Sequence, residues 1–184
     1  MIFEETSLPG VYLLGLERRE DARGWFARAF CEREFGARGL ATRFVQANVS
    51  STVARHTLRG MHYQLEPAAE TKLVHCLHGA LWDVVLDLRS DSPSFGRWFG
   101  AELSAANGRI MYAPKGCAHG FLTLEPDTHV FYLVDAFYAP GRERGVRWND
   151  PHFAIDWPHA PAVLSERDAE HPDFDPAWHL DEAP

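Results

Sequence analysis

The feature that most constrains the fold is a succession of short extended runs, rich in β-branched and aromatic residues and separated by turn residues. Runs at such short intervals are typical of a β-sandwich or barrel. Strands are predicted over residues 11–16, 44–53, 57–64, 97–103, 109–112, 120–124 and 129–138, with a hairpin over residues 72–88 that turns at His78-Gly79. The sequence Asp21-Ala22-Arg23-Gly24 predicts a turn, and residues 31–40 predict one short helix that ends at Gly39.

Length and composition predict one domain over residues 1–184, because 184 residues with 46% apolar content are enough for one sizeable core. The period-two pattern of the second half of the predicted hairpin places Trp82, Val84, Leu86 and Leu88 on one face. From Glu170 onward the chain is acidic, and this tail is expected to be loosely held.

The charge balance excludes some classes of partner. A formal net charge of −8 argues against nucleic acid or an anionic membrane as the main partner, although a small anionic substrate needs only local arginines. Three cysteines without a CxxC spacing, no signal peptide and no apolar run near 18 residues predict a cytoplasmic protein with reduced thiols.

The pair His62 and Lys72 carries the strongest chemical signal. A neutral imidazole can remove a proton at neutral pH, and a nearby ammonium can stabilise the negative charge that the removal creates. Strand alternation directs His62, Lys72 and Tyr132 toward one side of their strands, so a concave sheet can aim all three into one cavity. This set predicts proton removal from a carbon next to a carbonyl, with a phenol able to return the proton.

Each of these residues also has an ordinary structural interpretation: a histidine on a strand, a solvated lysine and a core tyrosine with a bonded hydroxyl. The segment Pro114-Lys115-Gly116-Cys117-Ala118-His119 resembles the second motif of the cupin superfamily, in which such a histidine is often a metal ligand. The His-x-His of the partner motif is absent from the sequence. A metal site made by His62, His75 and His119 is therefore an alternative, which the opposite strand parity of His75 and Lys72 disfavours.

Over residues 3–168 the chain resembles the dTDP-4-dehydrorhamnose 3,5-epimerase family, sugar-nucleotide epimerases of the cupin superfamily. The segments that carry the resemblance are Asp21-Ala22-Arg23-Gly24-Trp25-Phe26, Gln46-Ala47-Asn48-Val49-Ser50, Leu58-Arg59-Gly60-Met61-His62-Tyr63-Gln64, Lys72-Leu73-Val74, Ser92-Pro93-Ser94-Phe95-Gly96, Pro114-Lys115-Gly116-Cys117-Ala118-His119-Gly120-Phe121, Tyr138-Ala139-Pro140 with Glu143, Arg147-Trp148-Asn149-Asp150-Pro151 and Leu164-Ser165-Glu166-Arg167-Asp168. The resemblance implies an all-β cupin jelly-roll (double-stranded β-helix) barrel with short peripheral helices.

The resemblance also implies roles for individual residues. His62 matches the base that removes the ring proton, Asp168 the carboxylate that orients this base, Lys72 the group at the enolate oxygen and Tyr132 the acid on the opposite face. The residues matched to substrate binding are Arg23, Phe26, Gln46, Asn48, Arg59, His119, Tyr138, Glu143 and Arg167. The implied substrate is dTDP-4-dehydro-6-deoxy-D-glucose, epimerised at C3 and C5 without metal or redox cofactor because the substrate already carries the ketone.

Some features leave alternatives open. Arg28 replaces the acid that the family usually has at that position, which bears on the nucleotide or sugar preference. The alternatives are an epimerase that acts at C3 or C5 only, a metal-dependent cupin, and a sugar-nucleotide-binding cupin without catalysis. Family members are dimers that exchange N-terminal strands, so a homodimer is expected, in which Arg23 acts in the partner's site.

Overall fold

A computed structural model describes residues 1–180, and this range consists of strands with three short helices. The strands are β1 (Ile2–Glu5), β2 (Tyr12–Gly15), β3 (Arg19–Asp21), β4 (Gly24–Phe26), β5 (Gln46–Thr52), β6 (Leu58–Gln64), β7 (Lys72–His78), β8 (Ala80–Asp87), β9 (Trp98–Ser104), β10 (Ile110–Ala113), β11 (Cys117–Thr123), β12 (Thr128–Val134) and β13 (Glu143–Gly145). The helices are α1 (Glu32–Gly36), α2 (Glu166–Ala169) and α3 (Pro176–His179). Each predicted strand region contains a strand, and the predicted helix ends three residues before Gly39.

Two antiparallel sheets form the body of the protein. One has six strands in the order β1-β2-β10-β7-β12-β5, and the other has five in the order β13-β6-β11-β8-β9. Strands β3 and β4 form a separate two-stranded hairpin around the predicted turn at residues 21–24. From β5 to β13, every connection except the one between β8 and β9 passes from one large sheet to the other, so the chain winds as a jelly roll, and the predicted all-β fold class is confirmed.

The core lies between the sheets, where one cluster combines buried residues of both. It includes Leu13 and Val74 from the six-stranded sheet and Leu81, Val85 and Leu103 from the five-stranded sheet. Apolar burial of this kind stabilises the fold by about 25 cal/mol for each square ångström removed from water. The cluster closes one end of the space between the sheets and leaves the other end to polar residues.

The outer face of each large sheet is covered as well. Val84, Leu86 and Leu88 point away from the first cluster and pack against Phe153 and Ile155, which confirms the predicted alternation along β8. On the other sheet, α1 covers the outer face through Phe35, which is fully buried. Strands buried on both faces read as nearly continuous apolar runs, as β8 does.

The predicted hairpin over residues 72–88 is wrong, although its turn position is right. Strand β7 pairs with β10 and β12, whereas β8 pairs with β9 and β11, so the chain crosses from one sheet to the other at Gly79. Gly79 has φ +73°, and a Cβ there would lie 2.6 Å from Thr128 Oγ1. A period-two pattern interrupted by a turn does not distinguish a hairpin from a crossing between facing sheets.

The expectation of a loosely held tail from Glu170 is wrong for residues 170–180. His179 is fully buried, and its carbonyl accepts a hydrogen bond of 2.7 Å from the Tyr63 hydroxyl. The Phe174 N–H donates to Asp150 Oδ2 at 2.7 Å. Aromatic residues within the acidic stretch therefore dock it onto the five-stranded sheet, and only residues 181–184 of the predicted tail lie outside the described residues.

Within residues 1–180, no helix combines the length and the apolar character that crossing a membrane requires. The three cysteines, Cys31, Cys76 and Cys117, are free thiols. Burial raises the pKa of Cys76 to about 11 and that of Cys117 to about 12, so both are protonated at neutral pH.

Candidate active site

A cavity of about 700 Å³ opens between the two large sheets at the end that the apolar core leaves free. One wall belongs to β5, β7 and β12, the opposite wall to β6 and β11, and the rim to β13 and α2. Its polar lining residues are Gln46, Asn48, Ser50, Thr57, Arg59, His62, Glu70, Lys72, His119, Tyr132, Tyr138, Glu143, Ser165, Arg167 and Asp168. All of the predicted site residues except Arg23 and Phe26 are in this set.

Alternation explains how the six-stranded sheet presents its residues. Lys72 and Val74 face the cavity from β7, and Val130, Tyr132 and Val134 face it from β12, as predicted. On the opposite wall, His62 of β6 is the cross-strand neighbour of His119 on β11. The base predicted from the sequence and the phenol predicted to oppose it therefore come from different sheets.

Arg59 departs from strict alternation, since it lines the cavity together with Leu58 and His62. The register between β6 and β11 shifts in this region, where Gly60 lies against Gly120. Gly60 has φ +131°, and a Cβ there would lie 2.5 Å from the Gly120 Cα. Only glycine permits this close approach of two strands, and the irregularity turns Arg59 inward.

His62 and Asp168 form a tightly bonded pair, with 2.6 Å between Nε2 and Oδ1. The other carboxylate oxygen of Asp168 accepts the Gly60 N–H at 3.2 Å. Asp168 lies in α2, whose N-cap Ser165 accepts the Asp168 N–H at 3.1 Å. Burial opposes ionisation of Asp168, but the imidazoles of His171 and His62 outweigh it and hold the pKa of this carboxyl far below its usual range.

An ionised Asp168 selects one tautomer of a neutral His62. The carboxylate accepts hydrogen bonds only, so the imidazole carries its hydrogen on Nε2 and leaves the Nδ1 lone pair free. The His62 side chain is 33% exposed, whereas that of Asp168 is only 6% exposed. The arrangement gives a base that is oriented from behind and accessible from the cavity.

Lys72 places a nearly buried ammonium beside this pair. Its side chain is 10% exposed, and Nζ donates to the His62 carbonyl oxygen at 3.0 Å. Glu70 Oε1 lies 3.2 Å from the same Nζ. These contacts fix the ammonium at the cavity wall, where low exposure strengthens its attraction for a developing negative charge.

Tyr132 is the candidate proton donor of the facing wall. Burial raises the pKa of its hydroxyl, the Glu70 carboxylate adds to the rise, and Arg59 partly opposes it. The phenol is therefore protonated at neutral pH, which is the state that a proton donor requires.

His119 is also held by a carboxylate. Its Nε2 lies 2.8 Å from Oδ1 of Asp83, which is fully buried. Burial raises the pKa of Asp83, although His119 opposes this effect. A buried carboxylate that anchors an imidazole fixes the orientation of the ring toward the cavity.

A network of hydrogen-bonded polar side chains lies at the rim of the cavity. Arg167 Nη2 lies 2.5 Å from Glu143 Oε1, and the Tyr138 hydroxyl donates to Glu143 Oε2 at 3.0 Å. Gln46 Oε1 accepts the Tyr138 N–H at 3.0 Å. Arg59, further inside, donates through Nε to Thr52 Oγ1 at 3.1 Å. Two guanidinium groups thus stand at the cavity, where a diphosphate would find bidentate donors.

Arg23 and Phe26 are not brought to this cavity within one chain. Both lie on the β3–β4 hairpin, where Phe26 is 68% exposed and Arg23 pairs with Asp21 at 2.6 Å. Arg28, the departure noted in the sequence, lies 3.7 Å from Glu34. The position of the hairpin leaves these two predicted binding residues without contact to the remainder of the site.

The sequence predictions missed several lining or supporting residues, chiefly Glu70, Ser165 and His171. Ser165 had a readable signal, because Ser followed by an acid three residues later is a helix N-cap pattern. Glu70 and His171 had none, since their roles depend on tertiary neighbours. The alternative metal site of three histidines is not assembled, because His75 lies outside the cavity lining formed by His62 and His119.

Comparisons with known proteins identify the family to which the chain is similar. The sequence model of the dTDP-4-dehydrorhamnose 3,5-epimerase family matches residues 5–176. A dTDP-4-dehydrorhamnose 3,5-epimerase of Sinorhizobium fredii is 43% identical over 94% of this chain and 89% of its own length.

Two solved structures are similar throughout. The Bacillus anthracis dTDP-4-dehydrorhamnose 3,5-epimerase with TDP and PPi bound has a TM-score of 0.90 and 42% identity, over 94% of this chain and 99% of that one. A 3′-monoepimerase from Streptomyces bikiniensis in complex with dTDP-quinovose has a TM-score of 0.84 and 35% identity, over 91% of this chain and 85% of that one. The match to the family model, the identity to its members and the coverage of nearly the whole sequence lead to one conclusion: this chain belongs to the dTDP-4-dehydrorhamnose 3,5-epimerase family.

Proposed function

We propose that this protein is an isomerase that converts dTDP-4-dehydro-6-deoxy-D-glucose to dTDP-4-dehydro-L-rhamnose by epimerising C3 and C5. The observation that carries the proposal is the pairing of His62 with Asp168 on one wall of the cavity, opposite a wall that carries Lys72 and Tyr132, with the Lys72 ammonium 3.0 Å from the His62 carbonyl oxygen. Membership of the family supports the reaction type. Family membership does not favour the two alternatives from other classes, a metal-dependent cupin and a sugar-nucleotide-binding protein without catalysis.

The first step removes a proton next to the 4-keto group. The C–H bond breaks, its proton passes to Nδ1 of His62, and the electron pair moves through the new C=C bond to the ketone oxygen. Asp168 then stabilises the imidazolium through the 2.6 Å contact. The Lys72 ammonium stabilises the enolate oxygen, and one such donor typically lowers a barrier by about 3–4 kcal/mol.

The second step returns a proton to the opposite face of the ring. Tyr132 donates its hydroxyl hydrogen to the carbon while the enolate collapses to the ketone, so the configuration inverts. The raised pKa of Tyr132 supports this role, because the hydroxyl is in its protonated form. The 4-keto group acidifies both C3 and C5, so one set of residues can act at both centres without a cofactor.

The polar residues of the cavity bind the nucleotide end of the substrate. Arg59 and Arg167 offer guanidinium groups to a diphosphate, and Gln46, Asn48 and Glu143 offer hydrogen bonds to sugar or base. His119 lies beside the reacting centre, and Tyr138 supplies an aromatic surface at the rim. The two solved relatives that hold TDP or dTDP-quinovose support a dTDP-linked substrate.

We further propose a homodimer in which the β3–β4 hairpin of one subunit completes the site of its partner. The 68% exposure of Phe26 and the absence of Arg23 from the lining of the described cavity support this assembly. Mixing Arg23→Ala and His62→Ala subunits tests it, because a mixed dimer then contains one intact site. Random mixing should restore about a quarter of wild-type activity. Mixing His62→Ala with Asp168→Asn should restore none, and no recovery in the first mixture would contradict the exchange.

The reaction itself is tested by NMR of dTDP-4-dehydro-6-deoxy-D-glucose incubated with the protein in D2O. Deuterium at both C3 and C5, with product of the L-rhamno configuration, is the expected result. Deuterium at one carbon only would identify a single-centre epimerase, the activity named for the Streptomyces bikiniensis relative. His62→Ala should abolish incorporation while nucleotide-sugar binding persists, and full incorporation in that variant would refute the assignment.

A further inference from the structure

A second histidine lies against the carboxylate of the candidate catalytic pair. His171 follows α2, and its Nε2 is 3.6 Å from Asp168 Oδ1, the same oxygen that contacts His62. The His171 side chain is only 10% exposed, and its Nε2 has no hydrogen-bond partner among residues 1–180. The ring packs directly against Gly145, where any Cβ would collide with it. A buried imidazole nitrogen that lies 3.6 Å from a carboxylate oxygen, too far for a normal hydrogen bond, needs a physical explanation.

The three donor atoms have the chemistry and spacing of a metal site. His62 Nε2, Asp168 Oδ1 and His171 Nε2 all lie within 4.8 Å of one another. Tetrahedral zinc with bonds of about 2.0–2.1 Å holds its ligands about 3.3–3.5 Å apart. The 3.6 Å contact of His171 is close to that spacing, and the 2.6 Å contact of His62 needs to open by less than about 1 Å. Two imidazoles and one carboxylate favour zinc-class ions over magnesium or calcium.

Access and charge also fit an ion. The His62 side chain is 33% exposed, and both His62 and Asp168 line the cavity, so an ion can reach the pair from there. Asp168 supplies a negative charge that is 6% exposed, which strengthens its attraction for a cation.

We propose that His62, Asp168 and His171 form an inhibitory site for a divalent zinc-class ion. The inhibitory consequence rests on the proposed function of His62 as the base. An imidazole that binds metal through Nε2 gives up the hydrogen there, and the neutral ring then carries its hydrogen on Nδ1. Nδ1 is the nitrogen that otherwise removes the substrate proton. The ion therefore blocks the base without occupying the nucleotide end of the cavity.

The binding test uses the full chain freed of metal by chelator dialysis, with Zn²⁺ titrated against a chromophoric chelator. We expect one high-affinity Zn²⁺ per chain, and at least tenfold weaker binding in His171→Asn and in the second variant His171→Gln. The matched control is His159→Asn, which changes an exposed histidine that stacks on His56, and it should bind zinc like the wild type. Thermal melts check that each variant is folded. Equal affinity in wild type and both folded His171 variants would overturn the site.

The activity test measures deuterium incorporation into the substrate with and without Zn²⁺. The zinc concentration that halves the wild-type rate should match the binding constant, EDTA should restore the rate, and Mg²⁺ should have no effect. In each His171 variant, the zinc concentration that halves the variant's own metal-free rate should be at least tenfold higher than the concentration that halves the wild-type rate. Stoichiometric zinc binding without inhibition would overturn the inhibitory role. Absence of exchange in metal-free wild type would refute the proposed function instead, and the titration alone would then decide the zinc site.

Discussion

The substitution Asp168→Asn tests the orientation of the base more sharply than removal of the base itself. Asp168 contacts the Gly60 N–H through one oxygen and His62 Nε2 through the other. In the asparagine variant the Gly60 N–H still needs an acceptor, so the amide oxygen must face Gly60. The amide NH2 then faces His62 and donates to Nε2. The hydrogen of neutral His62 is thereby moved to Nδ1, the nitrogen that should accept the substrate proton.

The expected loss is large because the wrong tautomer is fixed by a buried hydrogen bond. The equivalent Asp→Asn change in a serine-protease triad lowers kcat about 10⁴-fold. For this protein we expect a decrease of about 10³- to 10⁴-fold, or about 4–5.5 kcal/mol of activation free energy. The affinity for the nucleotide should change little, since Asp168 is 4% exposed and lies behind His62.

The assay is the initial rate of deuterium incorporation at C3 and C5, measured together with dTDP binding by calorimetry. The matched control is Asp175→Asn, which changes the N-cap residue of α3 without touching the cavity. That control should retain nearly full activity. A folded Asp168→Asn variant with more than about a tenth of wild-type activity would refute the tautomer argument.

Three further perturbations probe other parts of the structure. Tyr132→Phe should lower net inversion about 10²-fold or more while sparing exchange at the first carbon, seen by NMR as deuterium without product, and equal loss of both would contradict the role. Asp87→Asn should lower the free energy of unfolding by about 2 kcal/mol at pH 7, because bonds from Arg89 outweigh the opposing effect of burial and lower the pKa of Asp87 to about 2. A carboxyl group with a lowered pKa stabilises the fold above pH about 4, and this stabilisation is lost as the pH falls through about 2. Urea titrations should therefore show that the free energies of unfolding of the wild type and Asp87→Asn converge as the pH is lowered over this range. Gly60→Ala should cost at least about 3 kcal/mol because its Cβ would strike the neighbouring strand, whereas Gly141→Ala, with open space around it, should cost about 1 kcal/mol for its positive φ.

Local patterns predicted the parts of this structure that depend on local geometry. Alternation along β7 and β12 correctly directed Lys72 and Tyr132 to one side, because successive side chains of a strand must point to opposite faces. The same rule failed for Arg59, since the register shift beside Gly60 arises from contact with β11. It also failed to assign β7 and β8 to different sheets, because pairing partners far apart in sequence leave no trace in a period-two pattern.

The pair between His62 and Asp168 shows what residue patterns cannot supply. The two residues are 106 positions apart, and only the resemblance to a family connected them. Glu70 and His171 had no such connection and were missed, although one contacts Lys72 at 3.2 Å and the other lies 3.6 Å from Asp168. Long-range contacts are set by how elements pack, which a single sequence encodes only indirectly.

The jelly roll offers a physical solution to inversion at carbon, which needs a base and an acid on opposite sides of one ring. His62 comes from the five-stranded sheet and Tyr132 from the six-stranded sheet, so the separation of two facing walls sets the separation of the two groups that we propose as base and acid. The residue that orients the proposed base, however, belongs to the C-terminal segment, because Asp168 lies in α2. The chain that follows α2 is held against the five-stranded sheet by the hydrogen bond from the Tyr63 hydroxyl to the His179 carbonyl oxygen. Loosening this docked segment should therefore weaken catalysis before it weakens the sheets, because the core between the sheets does not include it.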